Sequence, residues 1–108
     1  MPKYLLLMYG KEIRMPKNVT PEQMEAGVKP WRDYISPLVK KGVVIHSGPV
    51  QWTGKIITGK VAKGYKPREV DLLGCMLIKA KDMEEAVKIA KRSPHTETTT
   101  IRECMEIM

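Results

Sequence analysis

Only two segments of this chain have the apolar spacing of an amphipathic helix, and each lies between strand-like segments. The first is predicted to begin at Thr20, where Gln23 completes a capping box, and to carry an apolar stripe as far as Gly42. The second is predicted to begin at Asp82 and to end before Pro94. Two helices are too few to cover both faces of a sheet of four or five strands, so one sheet face needs a partner.

The remaining sequence is mostly strand-like. Strands are predicted at residues 3–9, 43–46, 72–79 and 98–107, with a hairpin at residues 51–58 and loops at residues 10–18 and 63–71. Pro30 and Pro37 each remove a backbone hydrogen bond from the first helix, which predicts a kinked or two-part helix.

The order of these elements is typical of an α+β fold. We expect a ferredoxin-like βαββαβ protomer with an extra hairpin, in one domain over residues 1–108. Because this protomer leaves one sheet face bare, we expect a homodimer with the two sheets face to face, which forms a dimeric α/β-barrel.

Length and cysteine content exclude several other classes of protein. A chain of 108 residues is enough for one domain, and no apolar run reaches the length of about 18 residues that crosses a bilayer. The apolar stretch near the N-terminus is too short for a signal peptide, so we expect no membrane association. Cys75 and Cys104 are too few for a disulfide scaffold, which favours a cytoplasmic protein.

The basic charge is compatible with a polyanionic partner. Lys and Arg number 19 against 12 Asp and Glu, and the densest cluster lies at residues 55–68. The cationic residues are mostly Lys and are spread along the chain, which is more typical of a solvated surface than of phosphate recognition. A nucleic-acid-binding module is therefore the third of three hypotheses for function.

One set of residues carries a family resemblance. It comprises Trp31, Tyr34, Leu38, Gly42, Gly48, Pro49, Leu73, Gly74, Glu85, Ala86, Ala90, Pro94, Ile101 and Arg102. This frame resembles the YCII-related family in its DGPF-motif branch. The resemblance implies a dimeric α/β-barrel, a fold that small isomerases and monooxygenases share. Trp31 occupies the position of the helix histidine in the proposed His–Asp pair of the shorter YCII branch, so the resemblance does not carry that pair over to this chain.

Two residues are candidates for catalysis. His46 ends an apolar strand and could act as a general base, although a structural histidine with a satisfied hydrogen bond is the alternative. Asp33 could orient that histidine or could form an ion pair with Lys29 or Arg32 on the helix surface. His95 follows the second helix, where the helix dipole favours a cation, and a structural role is expected for it.

Four further residues are candidates for ligand binding in a pocket between the first helix and the sheet, beside the dimer interface. They are Trp31, Tyr34, Trp52 and Arg102. Arg102 requires a carboxylate or a bound anion, and Asp71 is one possible partner. No metal-ligand spacing or cofactor motif is found, so we expect neither a metal nor a cofactor.

These observations leave two further hypotheses open. The first is a small-molecule binding domain or an isomerase- or lyase-like enzyme, because one histidine without a cofactor motif suits proton transfer. The second is a non-enzymatic dimeric accessory or regulatory domain. The sequence leaves open whether the protein is an enzyme.

Overall fold

A computed structural model describes residues 1–11 and 18–107 of the chain. Residues 12–17, which belong to the predicted loop at 10–18, lie outside the described residues. The described elements are β1 (Lys3–Lys11), α1 (Pro21–Lys40), β2 (Val44–Pro49), β3 (Lys55–Thr58), β4 (Val61–Gly64), β5 (Val70–Lys79), α2 (Met83–Lys91) and β6 (Thr98–Cys104).

Four of the strands form one sheet in the order β2-β5-β1-β6, and its three neighbouring pairs are all antiparallel. This sheet and the two helices confirm the predicted α+β class. Within the described residues, the remaining strands, β3 and β4, pair with each other in a separate hairpin.

The hairpin lies further along the chain than predicted. Thr58 pairs with Val61 across a turn at Gly59, whose φ of 62° is a left-handed conformation that suits glycine. The strand β4 therefore begins at residues 61–62, for which no element was predicted, and ends inside the predicted loop at residues 63–71.

Both helices pack on the same face of the sheet. The buried side chains of that face alternate along β1 and β5, which is the period of a half-buried strand; they are Tyr4, Leu6, Met8, Met76 and Ile78. Ala86 and Ile89 of α2 belong to the same cluster, and Trp31, Tyr34 and Leu38 of α1 pack against it. This single cluster is the core of the protein.

The capping chemistry of α1 follows the sequence prediction. The Thr20 side chain accepts a hydrogen bond from the Gln23 backbone N–H, and the Gln23 side chain accepts one from the Thr20 N–H. At the other end, Gly42 has a φ of 73°, and its N–H and that of Val43 donate to the carbonyls of Val39 and Leu38. These two bonds form a Schellman motif, which ends the helix.

The first helix was predicted to be kinked or in two parts; the two-part form is wrong, and the kink stays a prediction. The helix α1 runs without a break from Pro21 to Lys40 and contains both Pro30 and Pro37. Both prolines are exposed, so their rings project towards solvent and each costs the helix one backbone donor without ending it.

The last strand is shorter than predicted. Lys3, the first residue of β1, pairs with Cys104, so β1 offers nothing for residues 105–107 to pair with. Met105 and Ile107, which were expected to continue the strand, are 87% and 91% exposed.

The molecule has only two layers, with the helices on one side of the sheet. Its smallest dimension is 21 Å, about the thickness of one sheet packed against one layer of helices. On the uncovered face the central side chains are only half-buried, among them Leu5, Leu7, Cys75 and Leu77. No helix within the described residues is long and apolar enough to cross a membrane.

Candidate ligand-binding cleft

A cavity of about 730 Å³ lies between α1 and the sheet, at the end where β2 finishes and β5 begins. Sites for small organic ligands have volumes of roughly 300–1,000 Å³ and walls that are mostly apolar. The walls here have this character, and their apolar side chains include Met8, Val28, Trp31, Ile35, Leu73 and Met76. The cavity therefore has the size and the lining of a small-molecule site.

Two local features of the sheet shape this cavity. The pairing of β1 with β5 shifts between Met8 and Tyr9, which makes Leu73 an extra residue in a β-bulge and brings it to the cavity wall. Next to it, Gly74 and Gly48 bring two backbones close together, since a Cβ on Gly74 would lie 3.2 Å from the Gly48 carbonyl oxygen. The glycine–proline and leucine–glycine pairs of the sequence thus build the floor of the cleft.

His95 lies on the cavity wall in the loop between α2 and β6, and its ring is held at one nitrogen. Its Nε2 is 3.0 Å from the carbonyl oxygen of Tyr9 and 3.2 Å from that of Thr98. Carbonyl oxygens only accept hydrogen bonds, so Nε2 must carry a proton and donate it. In the neutral ring the lone pair is therefore on Nδ1, and this is the nitrogen through which His95 could accept a proton.

Charged groups flank His95 at the same end of the cleft. Glu97 and Lys11 both line the cavity, and Lys11 also makes a loose ion pair with Glu69, at 3.7 Å. The cleft thus combines an apolar body with a basic, an acidic and a titratable group at one end. This arrangement suits a ligand with an apolar body and one polar head.

Among the predicted ligand-binding residues, Trp31 lies in this cleft and Tyr34 lies beside it. The two rings meet edge to face with centroids 6.2 Å apart. The Tyr34 hydroxyl donates a 2.7 Å hydrogen bond to the Ile89 carbonyl, and burial raises the pKa of Tyr34 to about 12. Tyr34 therefore links α1 to α2 and supports Trp31 from behind.

The structure places His46 and Arg102 away from the cleft. Both are exposed, and they belong to one row across the sheet in which His46 pairs with Leu77, Leu77 with Leu5, and Leu5 with Arg102. Directly paired residues lie on the same face of a sheet, so both side chains are on the uncovered face. Three strand spacings separate them, a distance of roughly 14 Å.

Trp52 lines a second, smaller cavity of about 360 Å³ beside Tyr65 and Asp71. Asp71 is buried, and its carboxylate accepts hydrogen bonds from the Tyr65 hydroxyl and from the backbone N–H groups of Arg68 and Leu72. These bonds, led by that of Tyr65, lower the pKa of Asp71 to about 2. Asp71, at the start of β5, is thus engaged by hydrogen bonds from residues close to it along the chain.

Asp71 is also far from the residue it was considered to partner. Asp71 pairs with Gly10 on β1, whereas Arg102 pairs with Leu5, so the two are separated by roughly 16 Å along the strands and by two strand spacings across the sheet. The ion pair between Asp71 and Arg102 is therefore ruled out, and Asp71 instead lies 3.8 Å from the Arg68 guanidinium.

Asp33 has the surface position that was considered as the alternative to a catalytic one. Its carboxylate is 2.7 Å from the Lys29 ammonium, one helical turn away, and both side chains are mostly exposed. Among the described residues the Asp33 carboxylate pairs with this lysine and not with a histidine.

The sequence-based reasoning missed His95 and Glu97 as residues of the cleft. The residues around them form no recognisable motif. Their position is determined by the pairing of β6 with β1, in which Thr98 lies opposite Tyr9. The loop before β6 is therefore brought to the end of β1, beside the first turns of α1. The sequence did indicate a structural role for His95 as a cation after α2, but it gave no indication that this residue lines a cleft.

Within residues 1–11 and 18–107, no group of three or more His, Cys, Asp or Glu side chains is placed to hold a metal ion. A comparison of the chain with protein-family models gives no match, and neither does a comparison with curated proteins. The resemblance to the YCII-related family therefore stays a prediction.

Proposed function

We propose that the protein binds a small organic molecule in the cleft beneath α1 and that His95 serves there as the proton acceptor of an isomerase- or lyase-like reaction. The observation that carries the proposal is the fixed tautomer of His95, whose ring lines a cavity of ligand size while both Nε2 contacts are to carbonyl oxygens. A purely structural histidine has no need of a cavity at its side.

The residues of the cleft suit proton transfer next to a carbonyl group. Nδ1 of His95 would take a proton from a carbon beside the carbonyl; the electron pair of that C–H bond would form a C=C bond, and the carbonyl π pair would move to the oxygen to give an enolate. Lys11 is a residue of the same cleft, and its ammonium group would stabilise the negative charge on that oxygen. Return of the proton to another atom gives an isomer, and departure of a leaving group gives a lyase product.

We also propose that the chain is a ferredoxin-like protomer that pairs through its uncovered sheet face. The sheet order, with both helices on one face, supports the protomer fold. The row of Leu5 and Leu77 and the adjacent row of Leu7 and Cys75 give the bare face an apolar centre, which a second copy would bury. Cys75 and Gly48 belong to the wall of the cleft, so the cleft would lie next to this interface.

The test of the ligand site is a thermal-shift screen of the protein against a metabolite library, since a bound ligand raises the melting temperature by mass action. The two histidines offer a matched pair of variants: His95→Gln keeps a donor for the Tyr9 carbonyl but has no base, and His46→Gln changes the opposite face. For a compound that raises the melting temperature of the wild type, we expect His46→Gln to show the same rise and the same rate of any reaction. His95→Gln should keep most of the shift and lose turnover.

Other outcomes of this experiment would contradict parts of the proposal. If His46→Gln lost the rise in melting temperature and His95→Gln kept it, the site would lie on the other face of the sheet. Binding without turnover in the wild type would favour the accessory or regulatory domain over the enzyme. Failure of every compound class with an apolar body and a polar head would remove the ligand site itself.

A further inference from the structure

The net charge of the protein is concentrated in one third of the chain. Residues 34–68 contain seven Lys and Arg and no Asp or Glu, which equals the whole net charge of +7. The other twelve basic residues are matched in number by the twelve acidic ones. Five of the seven charges lie at residues 55–68, on or beside the β3–β4 hairpin.

This hairpin, here called the arm, projects from the domain. It consists of residues 55–64, and every residue of its two strands is exposed. Its base is closed by a hydrogen bond from the Tyr65 N–H to the Gly54 carbonyl, and within the described residues it is held to the sheet by the hydrogen bond from the Tyr65 hydroxyl to Asp71 of β5. An isolated two-stranded hairpin is marginally stable in water, so an arm of this kind is suited to a partner that covers it.

The arm carries positive charge along its whole length. Lys55 is at its base, Lys63 is on the second strand and Lys60 is in the turn at the tip, and all three side chains are exposed. Lys66 and Arg68 follow directly after the second strand. Between these charges, Ile57 and Val61 are 69% and 60% exposed. The partner must therefore be anionic along an extended groove and must accept some apolar contact.

We propose that the arm binds the groove of double-stranded DNA without sequence specificity. A two-stranded ribbon fits the major groove of B-form DNA, whose phosphates line both rims at regular spacing. Lysine binds phosphate as a point charge without the paired geometry of arginine, which is enough for contacts that carry no sequence information. The arm holds no Arg, Asn or Gln, whose planar groups make paired hydrogen bonds to base edges, so we expect its lysines to contact mainly the phosphate backbone.

The position of Lys60 argues against an anionic membrane as the partner. A loop that inserts into a bilayer has an apolar tip with basic residues behind it, because a charge is costly below the headgroups. In the arm the order is reversed, since Gly59 and Lys60 form the tip and the isoleucines lie behind them. Binding to DNA uses the tip charge, whereas insertion would have to desolvate it.

The experiment measures binding of the intact protein to a short fluorescent DNA duplex of mixed sequence by anisotropy, over a range of salt concentrations. The triple variant Lys55→Gln, Lys60→Gln, Lys63→Gln removes three charges from the arm. Its control, Lys81→Gln, Lys88→Gln, Lys91→Gln, removes three exposed charges at α2 and has the same net charge. Circular dichroism and melting temperature establish that both variants are folded.

We expect micromolar binding by the wild type at about 50 mM salt, which is weakened about tenfold or more in the arm variant and about twofold or less in the control. The slope of log K against log salt should fall by about 2.7 in the arm variant, or about 0.9 for each lost phosphate contact. Equal weakening in both variants would show an effect of net charge alone and overturn the proposal. So would the absence of wild-type binding up to about 100 μM, or binding to phosphatidylserine vesicles but not to the duplex.

Discussion

The carboxyl group of Glu97 lies in the space that a side chain at Gly10 would occupy. A Cβ built on Gly10 would be 2.7 Å from the Glu97 carboxyl carbon and 2.9 Å from Leu73 Cδ1. Gly10 is buried near the end of β1, while Glu97 and Leu73 both line the cleft. The glycine therefore admits the carboxylate to the strand, and it determines where the acidic group of the cleft is held.

The first prediction is that Gly10 and Glu97 are coupled in stability. In Gly10→Ala the new methyl group displaces the Glu97 side chain, whose end is flexible, so the substitution should change the free energy of unfolding by about 1 kcal/mol or less. A double-mutant cycle with Glu97→Ala should show a coupling energy of about 0.5 kcal/mol or more, measured by urea denaturation. Additive effects of the two substitutions would contradict this contact.

The second prediction compares two glycines of the first helical segment. Gly42 has a φ of 73° at the end of α1, so Gly42→Ala should destabilise the protein by about 1–2 kcal/mol. Gly27 lies inside α1 with no atom within 4 Å of a Cβ built on it, so Gly27→Ala should stabilise the protein by up to about 1 kcal/mol. Urea denaturation of the two variants without ligand should therefore give shifts of opposite sign, and shifts of the same sign would contradict the Schellman motif.

The features that were predictable from sequence are those that local chemistry decides. Both helix starts at Thr20 and Asp82, and the glycine after α1, were found because capping involves residues at most a few positions apart. The α+β class followed from the order of the elements. The sequence did not predict that α1 continues through Pro30 and Pro37, because the exposure of a proline ring depends on what the helix packs against.

The site was less predictable because two extra residues in the sheet change which side chains share a face. The pairing of β2 with β5 shifts between Val44 and His46, so Ile45 is a bulge residue. Strict alternation would place Val44 and His46 on the same face, but the bulge places His46 on the uncovered face, opposite to the cleft. Nothing in the local sequence of β2 fixes its register, because the register depends on a strand about 30 residues away.

The third prediction concerns the dependence of stability on pH. The hydrogen bond from Tyr65, with those from the backbone N–H groups of Arg68 and Leu72, lowers the pKa of Asp71 from its ordinary value of 3.8 to about 2 in the folded protein. A lowered pKa in the folded state gives stability that is present above the unfolded value and is lost as the pH falls through the folded value. Asp71→Asn should therefore be less stable than wild type at neutral pH, and the difference should shrink between about pH 4 and pH 2.

A second variant identifies the source of this effect. Tyr65→Phe removes the strongest donor to Asp71 and keeps the ring, so the pKa of Asp71 should rise towards its ordinary value. The measurement is the carboxyl titration of Asp71 by NMR, together with urea denaturation across the pH range. Wild-type and Asp71→Asn stabilities that remain parallel down to about pH 2 would contradict the assignment.

The last prediction concerns the uncovered face of the sheet. Leu7 pairs with Cys75 near the centre of that face, and its side chain is half-buried in the isolated chain. In a face-to-face dimer this position would be fully desolvated, so Leu7→Lys should place a buried charge in the interface and convert a dimer to a monomer. The control is Val39→Lys, on the exposed side of α1, where Val39 is 54% exposed.

Analytical ultracentrifugation at micromolar concentration measures this outcome directly. We expect a dimer for the wild type and for Val39→Lys and a monomer for Leu7→Lys, with circular dichroism showing that each chain is folded. A stable wild-type monomer would show that water alone covers the apolar centre of the sheet and would overturn the dimer. A dimer that persists in Leu7→Lys would place the contact elsewhere on the molecule. A lysine buried between two sheets needs a carboxylate partner, and the row across the sheet at this position contains none; it consists of Gly48, Cys75, Leu7 and Thr100.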